Sequence, residues 1–153
     1  MKKVLVYEMS YDGQETGKPK ISCVPFDDSY TEEYMTVYND CFYPMRKALD
    51  IKPYRWYSES WQLSGKTDNI NLLLKNDEIV GSVACYGNEI DDLFVRRRYQ
   101  NKGYGKQLLQ WAIHQIRSQN DDPVVLHAAQ WNQKAVSMYQ QAGFVVSKEE
   151  YRR

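Results

Sequence analysis

The sequence carries no excess charge of either sign: 20 lysines and arginines balance 20 aspartates and glutamates over 153 residues. A nucleic-acid binder would ordinarily show a strongly basic face, so that class is not expected. Also absent is any apolar run near the ~20 residues needed to cross a bilayer. The basic start Met1-Lys2-Lys3 leads into an apolar stretch that breaks at Tyr7-Glu8, too short for a signal peptide. The three cysteines, Cys23, Cys41 and Cys85, are odd in number and lack C-x-x-C spacing. That argues against a zinc site and a disulfide framework and fits a reducing, cytoplasmic setting. The two histidines, His114 and His127, have no companion ligands at metal-binding spacing, so no metal is expected. No internal repeat or low-complexity segment is present.

Glycine is sparse, eight in all, yet two fall within Gln100-Asn101-Lys102-Gly103-Tyr104-Gly105. This stretch lies between the apolar run Leu93, Phe94, Val95 and an amphipathic segment, Lys106 to Arg117, with Leu108, Leu109, Ala112, Ile113 and Ile116 on one face. A strand, a glycine turn and a helix start make a phosphate cradle. The helix N-terminus offers unpaired N–H groups and partial positive charge, and glycine lets the backbone come close. Gly-x-Gly alone arises by chance in roughly half of chains this long, so context must discriminate. The Walker loop fails: Gly105-Lys106 is followed by Gln107, and Gln100 stands where its first glycine belongs. The dinucleotide fingerprint also fails, with Leu108 at its third glycine position and several strands upstream.

The rest of the chain reads as alternating short elements. Lys3 to Met9 predicts a strand, Tyr11 to Lys20 a loop, and Ile21 to Phe26 a second strand. Ser29-Tyr30-Thr31-Glu32 fits a capping box opening a helix with Tyr34, Val37, Tyr38, Cys41 and Phe42 in phase. Pro44 is placed to bend or end it, with a shorter helix after Pro53. Ile70 to Leu74, Ile79 to Tyr86 and Glu89 to Val95 form a meander, joined by Asn76-Asp77 and Gly87-Asn88. Val124 to Ala128 is a strand. Ala135, Met138, Tyr139 and Ala142 stripe a helix closed by Gly143, and Phe144 to Ser147 is the last strand. From the second strand on, the order β-α-α-β-β-β-α-β-α-β is that of a mixed α/β (α+β) chain with an antiparallel half.

Two motifs together resemble the GNAT superfamily of acyl-CoA-dependent N-acyltransferases. The first is [Gln/Arg]-x-x-Gly-x-[Gly/Ala] after the family's fourth strand, matched by Gln100 to Gly105 with Val95 five residues earlier. Arg97 stands where a proline is frequent. The second is an Asn followed by a helix ending Tyr-x-x-x-Gly-Phe, matched by Asn132 and by Tyr139 to Gly143-Phe144. The resemblance covers residues 20 to 148 in element order and is motif-specific from Glu89 to Phe144. It implies a mostly antiparallel sheet flanked by helices, splayed between the family's fourth and fifth strands. It also implies one acyl-CoA N-acyltransferase domain over residues 1–153, with 1–19 an added strand and loop.

The resemblance further implies a donor, acetyl-CoA. Backbone amides of Asn101, Lys102, Gly103, Tyr104, Gly105 and Lys106 would hold its pyrophosphate, following Gln100. Backbone groups of Leu93, Phe94 and Val95 would pair with the pantetheine arm and polarise the acyl carbonyl, though the same residues suit a plain core strand. Tyr139 would be the general acid for the departing thiolate, or a core tyrosine on its helix stripe. Asn132 would bond the pantetheine, or simply cap its helix. Glu89 and Asp92 are the candidate bases. Strand alternation puts Glu89 and Asp91 on one face and Asp92 on the other; a water-relayed base or solvated strand-end carboxylates are the alternatives. The acceptor pocket would draw on the segment holding Tyr43, Arg46, Tyr54, Trp56, Tyr57 and Trp61, with Tyr43, Tyr54 and Trp56 as aromatic contacts for an amine. Arg96-Arg97-Arg98 would lie near the cofactor phosphates, though a solvated charge run is the more ordinary reading.

The expected activity is N-acetyl transfer to a small-molecule or peptide amine, with no nucleic-acid or membrane partner. A non-catalytic acyl-CoA-binding module and a structural α/β protein remain open. The family ends in two strands, and this chain has room for one. The added strand, Val4 to Tyr7, is expected to fill the place, from the same chain or from a second copy in a homodimer.

Overall fold

The apolar runs pair into one seven-stranded sheet in the computed structural model, which describes residues 3–13 and 18–152. The elements are β1 (Val4–Tyr11), β2 (Val24–Pro25), α1 (Thr31–Ala48), β3 (Ile70–Lys75), β4 (Glu78–Tyr86), β5 (Glu89–Val95), α2 (Tyr104–Arg117), β6 (Val124–Ala129), α3 (Gln133–Gln141) and β7 (Val145–Arg152). Spatial order is β2-β3-β4-β5-β6-β1-β7. Every pairing is antiparallel except β5 with β6. Met1, Lys2 and residues 14–17 of the expected Tyr11–Lys20 loop lie outside the described residues, as does Arg153.

Two cores form, because successive strand residues face opposite sides. On one face α1 buries Tyr34, Met35, Val37 and Tyr38 against Leu72, Ile79 and Phe94. On the other, α2 and α3 bury Leu108, Leu109, Ala112, Val136 and Tyr139 against Val80, Val83, Val95 and Leu126. Gly81 is required where β4 passes β5 and α2: an added Cβ would lie 2.7 Å from Phe94 O and 2.8 Å from Leu108 Cδ1.

One irregularity sets the site. Ile90 and Phe94 are four residues apart and should share a face, yet they lie in opposite cores. A bulge between them accounts for it: the β4–β5 register shifts between Ser82 and Ala84, and Asp92 takes φ +48°. Strict alternation over Glu89, Asp91 and Asp92 therefore does not hold.

The first strand β1 inserts between β6 and β7 of its own chain, pairing with both. β5 and β6 share a single register pair, Glu89 with Val125, reinforced by Val125 N to Asn88 O at 2.9 Å.

Several local expectations change. Ser29 does not cap α1; Asp27 accepts from Ser29 N at 2.8 Å, opening a 3-10 turn that leads into the helix at Thr31. Pro44 stays inside α1. No α-helix forms between Pro53, whose peptide bond to Lys52 is cis, and β3; a 3-10 turn at Ser60–Leu63 comes instead. Only Val24–Pro25 of the second strand joins the sheet, at an edge where proline's missing N–H costs nothing. The last strand runs on to Arg152, because β1 gives it a partner along its length. Arg96 is not a solvated charge: it pairs with Glu33 and donates from Nε to Ile79 O at 2.7 Å, clipping α1 to β4. No helix among the described residues is long and apolar enough to cross a membrane.

Candidate functional site

The glycine loop opens α2 as a backbone donor site. Gly103 takes φ +88° at the helix N-cap, and Asn101 is also left-handed at φ +64°. The first intrahelical bond runs from Gln107 N to Gly103 O at 3.2 Å. The N–H groups of Tyr104, Gly105 and Lys106 therefore have no intrahelical acceptor. Gly105 lies close under α3, where an added Cβ would come 3.3 Å from Met138 Sδ. Gln100 anchors the loop, its Nε2 donating to Val95 O at 2.8 Å, and Lys134 of α3 bonds Asn101 Oδ1.

Two adjoining clefts open beside this loop. The larger, about 580 Å³, is lined by Gln100, Asn101, Gly103, Tyr104, Gly105 and Lys106, and across from them by Asn132 and Lys134. The smaller, about 400 Å³, lies between β5 and β6 and holds Asp91, Asp92, Tyr139 and His127. Phe42, Met45, Leu93, Asn132, Ala135 and Met138 line both, so the two are continuous. Phe94 and Val95 line the larger. Phe94 pairs with Ser82 of β4, and Arg96 N donates to Val80 O at 2.7 Å. Alternation then turns the N–H and C=O of Val95 away from β4. The C=O accepts from Gln100 Nε2 and from Cys41 Sγ at 3.2 Å, while the N–H faces the side where β6 pairs only at Glu89.

Asp92 is the acid turned into the smaller cleft. Tyr38 donates to its Oδ1 at 3.2 Å, and its own N–H donates to Asp91 Oδ1 at 2.8 Å. Burial, with Asp91 adding, raises its pKa to about 6. Tyr139 lies on the opposite wall, and no described residue bonds its hydroxyl. Burial, with Asp91 adding, pushes its pKa up to about 12, so it keeps its proton at neutral pH. Glu89 lies apart from both clefts' linings. It flanks His127, whose Nδ1 is 3.7 Å from Glu89 Oε2 and whose Nε2 is 3.4 Å from Glu8 Oε1. Asn132 caps α3 by accepting from Ala135 N at 3.3 Å, and lines the clefts as well.

Of the aromatic segment, Tyr43, Tyr54 and Trp56 line neither cleft. Tyr43 meets Tyr54 edge-on at 6.2 Å under the Arg55 guanidinium, and Trp56 carries Arg46 over its ring at 5.2 Å. The α1 residues that do line the smaller cleft are Tyr38, Phe42, Met45 and Arg46. Helical phase is the signal that finds them: they recur at i, i+4, i+7 and i+8, while Tyr43 falls off that stripe. Trp131 and Lys134, beside the second motif, also border the larger cleft. Burial raises the thiols of Cys41 and Cys85 to about 11 and that of Cys23 to about 12, leaving all three protonated and unreactive at neutral pH.

The profile of the acetyltransferase (GNAT) family matches residues 27–144. N-alpha-acetyltransferase 30 of Xenopus laevis is 27% identical over a 118-residue alignment that covers 71% of this chain and 41% of that protein. The chain thus spans about two fifths of the length of this curated relative. Among solved structures, an acetyltransferase of the GNAT family from Colwellia psychrerythraea superposes with TM-score 0.76 at 10% identity, covering 99% of this chain and 55% of the other. One from Staphylococcus aureus MU50 gives TM-score 0.61 at 21% identity, covering 80% and 82%. These two likenesses are of fold.

Proposed function

Because the chain belongs to the GNAT acetyltransferase family, matched over residues 27–144, we propose that it transfers an acetyl group from acetyl-CoA to a primary amine in one ternary complex. The observation that carries this is the continuity of the two clefts. The phosphate-type loop lines one, Asp92 and Tyr139 line the other, and Leu93, Asn132, Ala135 and Met138 line both. A donor held along the first would present its thioester between the two titratable groups.

Each residue then has a task. The N–H groups of Tyr104, Gly105 and Lys106 bind pyrophosphate at the positive end of α2. Lys134, which lines the larger cleft, adds positive charge there. The Val95 N–H, unpaired by β6, donates to the acyl oxygen and stabilises the charge that builds there. Asp92, ionised above about pH 6, takes a proton from the ammonium and frees its lone pair. The nitrogen attacks the carbonyl carbon, a C–N bond forms and the C–S bond breaks. Tyr139 gives its proton to the departing sulfur, and the second proton, which the nitrogen sheds as the amide forms, restores the tyrosine hydroxyl through solvent. Asp92 is preferred to Glu89 as base because it lines the cleft, whereas Glu89 points to His127.

On this reading residues 1–153 act as one domain in the cytoplasm, on a small-molecule or peptide amine. The test is titration with acetyl-CoA followed by an amine screen for thiol release. Stabilisation by acetyl-CoA together with amine-dependent release supports it; no stabilisation at excess ligand removes it.

A further inference from the structure

We infer that the amine acceptor is a small zwitterion, with its ammonium at Asp92 and Asp91 and its oxyanion on Arg46. The inference rests on the acyl-transfer reading for the role of the smaller cleft, and it names the substrate class. Arg46 lines that cleft half-buried. Among the described residues, Arg55 pairs with Asp40 at 3.1 Å, Arg96 with Glu33, Arg98 with Glu78, and Arg152, the other guanidinium in this cleft, with Glu150 at 2.6 Å; Arg97 and Arg117 donate to backbone carbonyls and lie outside the cleft. Arg46 has no carboxylate partner among the described residues.

It is nonetheless held in place. Its Nη1 donates to Pro53 O at 3.0 Å, and its guanidinium lies over the Trp56 ring at 5.2 Å. Stacking and one fixed bond pre-orient the fork and leave donors on its other edge for a planar oxyanion.

The opposite wall carries the opposite sign, Asp91 and Asp92 on β5. A cleft with two carboxylates on one side and an uncommitted guanidinium on the other matches a molecule charged at both ends. A diamine would place its second ammonium against Arg46. The helix sets the span: Arg46 is two turns beyond Tyr38, which touches Asp92. The two Cα atoms are therefore roughly 12 Å apart along α1. Helical side chains lean toward the N-terminus, so the guanidinium reaches back over part of that distance. About 400 Å³ suits an amino-acid-sized molecule there.

The experiment pairs each ω-amino acid of two to six carbons, and lysine, with its carboxamide and, where the chain length allows, with the aminoalkyl phosphonate. Two readouts are taken: kcat/KM for thiol release from acetyl-CoA, and binding to the CoA-loaded protein by calorimetry. The inference expects at least one acid to exceed its amide by about ten-fold or more in both. The ratio falls toward one in Arg46→Gln and is partly kept in Arg46→Lys. Phosphonates matching the acids identify an oxyanion site in general; acids alone identify a carboxylate site. Amides equal to acids, a preference that survives in Arg46→Gln, or binding only of peptides with acidic residues overturns it. The wild-type comparison needs no variant to fold. Arg46-dependent binding of an acid without transfer defeats the transferase reading and leaves a zwitterion-binding site; equal transfer to acids and amides keeps the transferase reading and overturns the inference.

Discussion

The Tyr38 hydroxyl donates to Asp92 Oδ1 at 3.2 Å, tying α1 to the bulge in β5 across 54 positions of sequence. This contact holds the proposed base at the wall of the smaller cleft. It also fixes the sign of two measurements on Asp92.

Burial raises the Asp92 pKa from 3.8 to about 6. The folded state therefore binds the proton more tightly than the unfolded chain, and this group's contribution to stability falls as pH rises from about 4 to about 6. Asp92→Asn removes the buried charge and keeps an oxygen for Tyr38. It should raise stability at pH 7 by on the order of 1–3 kcal/mol, allowing for partial exposure, or a Tm increase of several degrees. The gain should vanish below about pH 3.8, where both states are protonated. Melting curves at pH 3.5 and 7 check this. In kinetics the same variant should lose the limb near pH 6 and most of its turnover, while Glu89→Gln keeps the limb. The reverse pattern would move the role of base to Glu89.

Tyr139→Phe removes one oxygen from a buried side chain whose hydroxyl no described residue bonds. It should lower kcat by roughly 10²-fold or more and leave acetyl-CoA affinity and Tm nearly unchanged. Unchanged turnover, by steady-state thiol release, would reduce Tyr139 to a core residue.

Gly103→Ala places a Cβ at φ +88°, and Gly65→Ala does the same at φ +79° with no atom within 4 Å. Each should cost roughly 1–2 kcal/mol of stability. Only Gly103→Ala should also weaken acetyl-CoA binding, because only Gly103 belongs to the donor loop. Calorimetry on both variants makes the comparison.

Arg96→Gln unclips α1 from β4, leaving the Glu33 carboxylate without its guanidinium. A loss of about 1–3 kcal/mol is expected for this half-buried pair, read as a lower denaturant midpoint. Acetyl-CoA affinity should stay within about two-fold, since Arg96 borders neither cleft. A larger loss of affinity would place Arg96 in the phosphate site.

Features written in consecutive residues were legible in the sequence. The Gln100–Gly105 loop, the α2 face and the Asn132 cap depend on neighbours a few positions away. Features set by distant partners were not. Nothing local marks Asp92 as the bulged residue, because its φ of +48° follows from the β4–β5 register. Arg96-Arg97-Arg98 reads as solvated until Glu33, 63 positions earlier, is brought to Arg96. The cluster of Tyr43, Tyr54 and Trp56 is conspicuous by composition, yet helical phase turns the Tyr38–Arg46 stripe inward instead. The added first strand was legible as an apolar run; its place between β6 and β7 of the same chain is a property of the assembled sheet.

Transfer of an acetyl group from acetyl-CoA to an amine held at Asp92 is tested most directly by free-thiol release from acetyl-CoA, with and without an amine panel, for the wild type and Tyr139→Phe. Amine-dependent release that drops roughly 10²-fold in the variant is the expected result. Saturable acetyl-CoA binding with no amine-dependent release would contradict it and leave an acyl-CoA-binding module in its place.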